Sequence, residues 1–382
     1  MKRIALITDG IWPYVLGGMQ KHSYYLCKYF AKNGIIVDLY HFNQSNLPIE
    51  ELSVFSNDEK QNINSIILKF PEQSKGFGHY IKDSYKYSEL VYEQIKSKLS
   101  LYDFMYTKGF SGWKLLEEKQ KGNISCCKIG VKFHGYEMFQ EAPDVKSKIQ
   151  QMLLLRNPVK EISNMADVVF SYGGKITEII KSIGINQNKI IELPSGVESA
   201  NIEEEIILAE EQLKFVYLGR YERRKGVEEL NAAIRKTTNE LNAEFHFIGP
   251  IPDNKKIGRK NVVYHGEIRD LNKLNNILKS CDVLICPSKS EGLPNVILEA
   301  MSKGLAVLAT DVGATSVLVS SKMGWLIEST KRNQLLNKLI EIESLDKEII
   351  NIKKRNALRL IRNNFNWEKL IPELIEKISK KI

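Results

Sequence analysis

The chain has 382 residues, 43% hydrophobic and 26% charged, which fits two or three globular domains and excludes a disordered or fibrous chain. Its 55 Lys and Arg against 46 Asp and Glu leave a net charge of +9, an excess that suits phosphorylated ligands, anionic headgroups or nucleic acid without selecting among them. No apolar run reaches the roughly 18 residues of a membrane span, and the five cysteines, Cys27, Cys126, Cys127, Cys281 and Cys286, form no C-x-x-C pair, so reduced thiols are expected.

The start, "MKRIALITDG", carries only the apolar residues Ile4 to Ile7, against the roughly 7–15 of a signal peptide. It reads as a strand, and the protein as cytoplasmic. "GGMQKHSYYLCKYFAKNG" sets Met19, Cys27 and Phe30 on one helical side, with Asn33-Gly34 as a stop. "IIVDLYHF" is a second strand, so the unit is strand, helix, strand, with parallel pairing expected. Strands follow in "NSIILKF", "YDFMYTKG", "CKIGVKFHG", "ADVVFSYG" and "KIIELPSG", with helices around 79–99 and 146–166. The acid-rich "VESANIEEEIILAEEQ" then breaks the pattern and marks a linker over 198–212.

A second series begins with the strand "KFVYLGR" and the helix "GVEELNAAIRKTTNEL". Strands "AEFHFIGP" and "NVVYHGEI", helix "LNKLNNILKSC", strand "DVLICPS", helix "NVILEAMSKG" and strand "LAVLATD" complete it. The tail, 331–382, is helical, basic and amphipathic, a surface helix expected to pack on the body. The expected architecture is α/β: a Rossmann-like domain over 1–197 and a second over 213–360, facing across a cleft. In such sheets ligands sit beyond the carboxyl ends of the strands.

The residues just after the strands are therefore the candidates. In "SEGLPNVILEAMSKG", Glu291 lies in the loop after a strand and Glu299 just inside the next helix. Pro294 fits the first helical position, and the free N–H groups there make an anion site. Two carboxylates beside a phosphate site would repel it unless each held hydroxyls, which suits a sugar and a ribose with a diphosphate between them. In isolation, Glu299 would simply solvate a helix. It is not isolated: "GRYERRKG" sets Arg220 after a strand and Lys225 five residues on, cations fit for a diphosphate. Arg223 and Arg224 are expected to be solvated. His134 in "FHG" ends a strand, Gly17 and Gly18 open the first helix for close backbone approach, and His22 reads as structural. There is no D-x-D triplet and no Cys/His cluster, so no metal and no cofactor are expected.

In this order, "GGMQKH", "FHG", "GRYERRKG" and "SEGLPNVILEAMSKGLAVLATDVGA" resemble the retaining GT-B glycosyltransferases of the large bacterial nucleotide-sugar group (group 1, family 4 type), over nearly the whole chain. The resemblance implies that the second domain holds the donor. Glu291 would contact donor-sugar hydroxyls, Glu299 the ribose, and Arg220 with Lys225 the diphosphate. The backbone of Gly292, Leu293, Pro294, Asn295 and Val296 would line sugar and phosphate, and His134 would hold a sugar hydroxyl near the reacting carbon. Gly17 and Gly18 would close over the phosphates, and a last helix over 361–382, with Trp367, would cross back to the first domain. Departures are "SGVE" at Ser195–Glu198 and "PIPD" after Gly249.

The implied function is metal-independent transfer, with retention, from a UDP-sugar or related donor to a glycan or lipid-linked acceptor in cell-surface polysaccharide synthesis. A peripheral contact with the anionic inner face of the plasma membrane, through "KDSYKYSEL" and the tail, goes with it. Acceptor choice falls to loops around 43–60 and 71–85, which carry no decodable signal. The competing readings are a nucleotide-sugar epimerase of the same fold and a basic nucleic-acid-binding protein; the second lacks a reading motif, and no nucleic-acid partner is expected.

Overall fold

Short, near-continuous apolar runs build two sheets. The first holds β1 (Arg3–Ile7), β2 (Ile36–His41), β3 (Ile63–Ile67), β4 (Phe104–Lys108), β5 (Lys128–Lys132), β6 (Val168–Ser171) and β7 (Ile190–Glu192), in the spatial order β3-β2-β1-β4-β5-β6-β7. The second holds β8 (Leu213–Leu218), β9 (Ala243–Ile248), β10 (Val262–Gly266), β11 (Val283–Cys286), β12 (Ala306–Thr310) and β13 (Gly324–Ile327), in the order β10-β9-β8-β11-β12-β13. All pairings within the two sheets are parallel. Every residue of β4, β11 and β12 is buried, as expected for strands covered on both faces. This computed structural model describes the chain apart from residues 16, 43–53, 73, 77, 143, 238–240 and 331. Much of the first acceptor loop, and two positions of the second, therefore lie outside the described residues.

Three details differ from the sequence reading. β13 was not foreseen: four residues at a sheet edge, "GWLI", carry no period. The helix expected from 226 to 241 spans Val227–Ile234. The Arg259 guanidinium ends it by binding the carbonyls of Ile234 (2.8 Å), Arg235 (2.9 Å) and Thr237 (3.0 Å), groups that a longer helix would have used; residues 238–240 lie outside the described part. Pro294 is the N-cap of helix Asn295–Ser302 rather than its first residue, with extended backbone at φ −71° and ψ 102°.

The tail forms helices Arg332–Glu343, Lys347–Asn364 and Trp367–Ser379. Ala357 and Ile361 pack with Val307 and Ala309 of the second sheet. The chain turns at Phe365, beyond residue 360, and Trp367, Leu370, Ile371, Leu374 and Ile378 then pack with Ile4, Leu6 and Phe30 against the first sheet. This crossing runs beside the other one: Val197 donates to the Phe365 carbonyl (2.9 Å) and Trp367 to that of Val197 (3.1 Å). Two segments of chain thus pass side by side between the sheets. Among the described residues no helix is long and apolar enough to cross a membrane.

Candidate functional site

Strand order reverses between β1 and β4 in the first sheet and between β8 and β11 in the second. Crevices open at such reversals, beyond the carboxyl ends of the strands. After β8 the chain makes a 3₁₀ turn at Arg223–Lys225 and reaches Gly226 at φ 68°. A Cβ there would lie 1.8 Å from the Pro287 carbonyl oxygen, so glycine lets this loop close on the loop that follows β11. The contact brings Lys225 Nζ to 2.5 Å from Glu291 Oε1. The Ser288 hydroxyl donates to the same oxygen (2.7 Å), and Arg224 Nη1 stands 3.6 Å from Oε2.

Glu222 pairs with both Arg220 (2.9 Å) and Arg224 (3.0 Å). The Arg220 side chain is 70% exposed. Arg224, expected in solvent, faces Glu291, because the 3₁₀ turn carries residues 224 and 225 inward. Arg223 pairs with Glu229 outside the cleft.

The loop after β11 also meets the first sheet. A Cβ on Gly292 would lie 1.9 Å from the His134 carbonyl oxygen, so no larger residue fits between them. Gln140 fastens the contact: its amide donates to the carbonyls of Glu291 (2.7 Å) and Gly135 (2.6 Å). Gly18, at the start of helix Gly18–Lys32 with Gly17 as its N-cap, faces His134 Nε2 and Asn295 Nδ2; a Cβ there would sit 3.2 and 3.4 Å from them. Leu293 is buried and Val296 half-buried beside them. Glu299, in the second turn of its helix, is bound across the cleft by Lys21 Nζ at 2.6 Å. The glycine pair, His134, Lys225, Glu291 and the 292–299 segment therefore converge; Arg220 is joined to them through Glu222 and Arg224.

Beneath them lies a buried basic layer. The Tyr172 hydroxyl is 3.0 Å from His134 Nδ1; with the phenol as donor, Nε2 carries the imidazole proton toward Gly18. Lys132 Nζ sits 3.7 Å over the Tyr172 ring and donates to the Leu193 carbonyl (2.9 Å). Lys108 Nζ donates to His22 Nδ1 (3.0 Å). Burial pushes the Lys108 ammonium down to about 7, and that of Lys132 well below its usual range. An anion entering above them would favour their charged forms. Burial raises the Glu137 carboxyl, with Arg224 opposing and Glu291 adding to the shift.

Burial, then Lys108, Lys132, Arg224 and Lys225, hold the His134 imidazole neutral, down to about 3. His134 is thus a hydrogen-bonding group and not a source of positive charge at neutral pH. Its protonation is expected to leave the rate unchanged between about pH 5 and 8. A wild-type inflection near pH 6.5 that disappears in His134→Asn would show an imidazole with an ordinary pKa.

A cavity of about 320 Å³ opens next to Glu299. Trp12, Lys21, His22 and Tyr25 line it from the first sheet's side, and Leu274, Asn275, Leu278 and Leu298 from the second. Its size and apolar walls suit a nucleoside, with the Glu299 carboxylate at the rim for a diol. No group of three or more His, Cys, Asp or Glu that could hold a metal occurs among the described residues. Lys21, Gln140, Tyr172, Glu137 and Arg224 were missed as site residues. Tyr172 could have been found, since "SYGG" follows β6 as "FHG" follows β5; Gln140 carries no local signal.

Residues 212–344 match the family model described as glycosyl transferases group 1. The chain is 27% identical over 194 residues (48% of this chain, 49% of the relative) to a putative teichuronic acid biosynthesis glycosyltransferase, TuaC, of Bacillus subtilis. It is 35% identical over 104 residues to an Escherichia coli UDP-Gal:alpha-D-GlcNAc-diphosphoundecaprenol alpha-1,3-galactosyltransferase, covering 27% of this chain and 26% of that one. These matches span half or less of the relatives' own lengths. An uncharacterised glycosyltransferase of Methanocaldococcus jannaschii, MJ1178, is 25% identical over 84% of this chain and 86% of its own. Among solved structures, sucrose-phosphate synthase from Thermosynechococcus elongatus superposes with a TM-score of 0.77 at 19% identity, covering 100% of this chain and 99% of that one. The lipopolysaccharide outer core galactosyltransferase WaaB superposes with a TM-score of 0.69 at 17% identity, covering 98% and 99%. The chain thus has the fold of these neighbours, two Rossmann-like domains in the GT-B arrangement, and its residues 212–344, within the second of them, resemble the group 1 glycosyl transferases.

Proposed function

We propose that the protein transfers a sugar from a nucleoside-diphosphate sugar, UDP-linked by preference, to a lipid-linked or glycan acceptor in cell-surface polysaccharide synthesis, acting on the cytoplasmic side of the membrane. The observation that carries this reading is the convergence of Glu291, Lys225 and the 292–299 helix entry with His134 across one cleft, beside a nucleoside-sized cavity. In this reading Glu291 and His134 hold donor-sugar hydroxyls. Glu299 exchanges Lys21 for the ribose diol. Lys225, Arg224 and the free N–H groups at the start of the 295–302 helix neutralise the departing diphosphate. The acceptor hydroxyl attacks on the face the diphosphate leaves, giving up its proton to a diphosphate oxygen, so the anomeric configuration is retained. Two relatives support the acceptor class by their names, which specify diphosphoundecaprenol-linked substrates, and one of these names a UDP-sugar donor. A solved structural neighbour, HepE of Anabaena, was crystallised with UDP and with UDP-glucose.

Because Lys225, Arg224 and the helix entry supply the positive charge, EDTA is expected to leave turnover unchanged. The same reaction, followed by NMR of the product, is expected to give the anomer of the donor. Activity abolished by EDTA and restored only by Mg²⁺ or Mn²⁺ would remove the metal-free site. An inverted product would remove the same-face route, and conversion of the donor alone into another nucleotide sugar would favour an epimerase.

A further inference from the structure

The loop that leaves His134 is fastened to the cleft near its start and closed on itself at its end. Gln140 binds the Glu291 backbone, and Arg156 Nε donates to the Met138 carbonyl (2.8 Å). Between them a helical segment, Val145–Gln150 continued by a π turn over Gln151–Leu155, has no buried residue at all. Yet it is rich in apolar side chains. Val145, Ile149, Met152 and Leu153 are 74%, 52%, 47% and 65% exposed. Their spacing, i, i+4, i+7 and i+8, gathers them along one side of a helix. Tyr80, 55% exposed, stands on the neighbouring helix, whose N-cap Gly78 lies against Leu154.

We propose that this face docks on an anionic lipid bilayer and seats the mouth of the cleft on it. Charge complementarity selects this occupant. From residue 145 to 160 the chain carries Lys146, Lys148, Arg156 and Lys160 and not one acid. A stripe of large apolar residues with lysines beside it is the chemistry of a helix lying in a membrane interface, its apolar side among acyl chains and its cations at the phosphates. The inference rests on the lipid-linked acceptor reading and deepens it: docking here would hold the Glu291–His134 pair at the level where a membrane-anchored diphosphate reaches the cleft. This face differs from "KDSYKYSEL" and the tail, where membrane contact was expected from sequence.

The test is flotation of the full chain with vesicles of phosphatidylcholine alone and of phosphatidylcholine with phosphatidylglycerol, at low and high salt. The wild type is expected to float with the anionic vesicles and to detach as salt rises. The combined variant Val145→Ser, Ile149→Ser, Met152→Ser, Leu153→Ser is expected to bind at least about tenfold more weakly, and Lys146→Gln with Lys148→Gln to lose the preference for anionic lipid. UDP-induced thermal stabilisation, unchanged in both variants, confirms an intact donor site. Equal flotation of wild type and the serine variant overturns the proposal, as does absence of wild-type flotation at low salt. A dimer in sedimentation that the serine substitutions dissolve would assign the face to a second copy instead. Transfer to a short, water-soluble acceptor separates the two ideas, since it persists if only the docking face is wrong and fails if the transferase reading is.

Discussion

Lys225→Ala is expected to lower kcat/KM for the donor by about 10- to 100-fold while leaving the fold intact. Lys225 Nζ is the cation nearest the Glu291 carboxylate, at 2.5 Å, and its side chain is only 19% exposed. A charged contact of this kind contributes about 1.5–3 kcal/mol, and each 1.36 kcal/mol is tenfold in rate. Loss of transition-state neutralisation lowers kcat and kcat/KM together. The fold is protected because Glu291 keeps the Ser288 hydroxyl and Arg224. Steady-state kinetics with a confirmed donor, alongside thermal denaturation, checks this. Wild-type turnover in the variant would take Lys225 out of the site.

Glu299→Ala is expected to act differently, raising the donor KM about tenfold with a smaller change in kcat. Glu299 lines the cavity, so in the proposed reading it grips the nucleoside and not the bond that breaks. Its present partner is Lys21, and breaking that surface pair alone costs little, since both side chains are about one third exposed (37% and 29%). The comparison that isolates the ribose contact is Lys21→Ala, which removes the same ion pair and keeps the carboxylate. If Lys21→Ala and Glu299→Ala raise KM equally, the ion pair and not the ribose is what matters.

Much of this site was legible in the sequence for one physical reason. Parallel strands buried on both faces read as short apolar runs, and in such sheets function gathers where those runs end. Glu291, Lys225 and His134 each follow a strand, and Glu299 and the Gly17–Gly18 pair open the next helix. What sequence order does not encode is which way a turn faces. Arg220 and Arg224 are four residues apart in one loop, and only the 3₁₀ turn at Arg223–Lys225 points Arg224 inward. Nor does it encode partners brought together by folding. Lys21 meets Glu299 across 278 residues, and Gln140 meets Glu291 across 151. The 145–155 helix shows a third limit: the sequence places a helix there, but not which of its faces the rest of the chain leaves uncovered.

The most direct measurement is release of nucleoside diphosphate from a panel of nucleotide sugars, in EDTA, with a polyisoprenyl-diphosphate saccharide as acceptor. The account predicts that at least one UDP-sugar yields UDP and adds one sugar to the acceptor in equal amount. It predicts that Lys225→Ala slows this at least about tenfold. Absence of nucleotide release from every donor, or release at the same rate with Lys225→Ala, would contradict it.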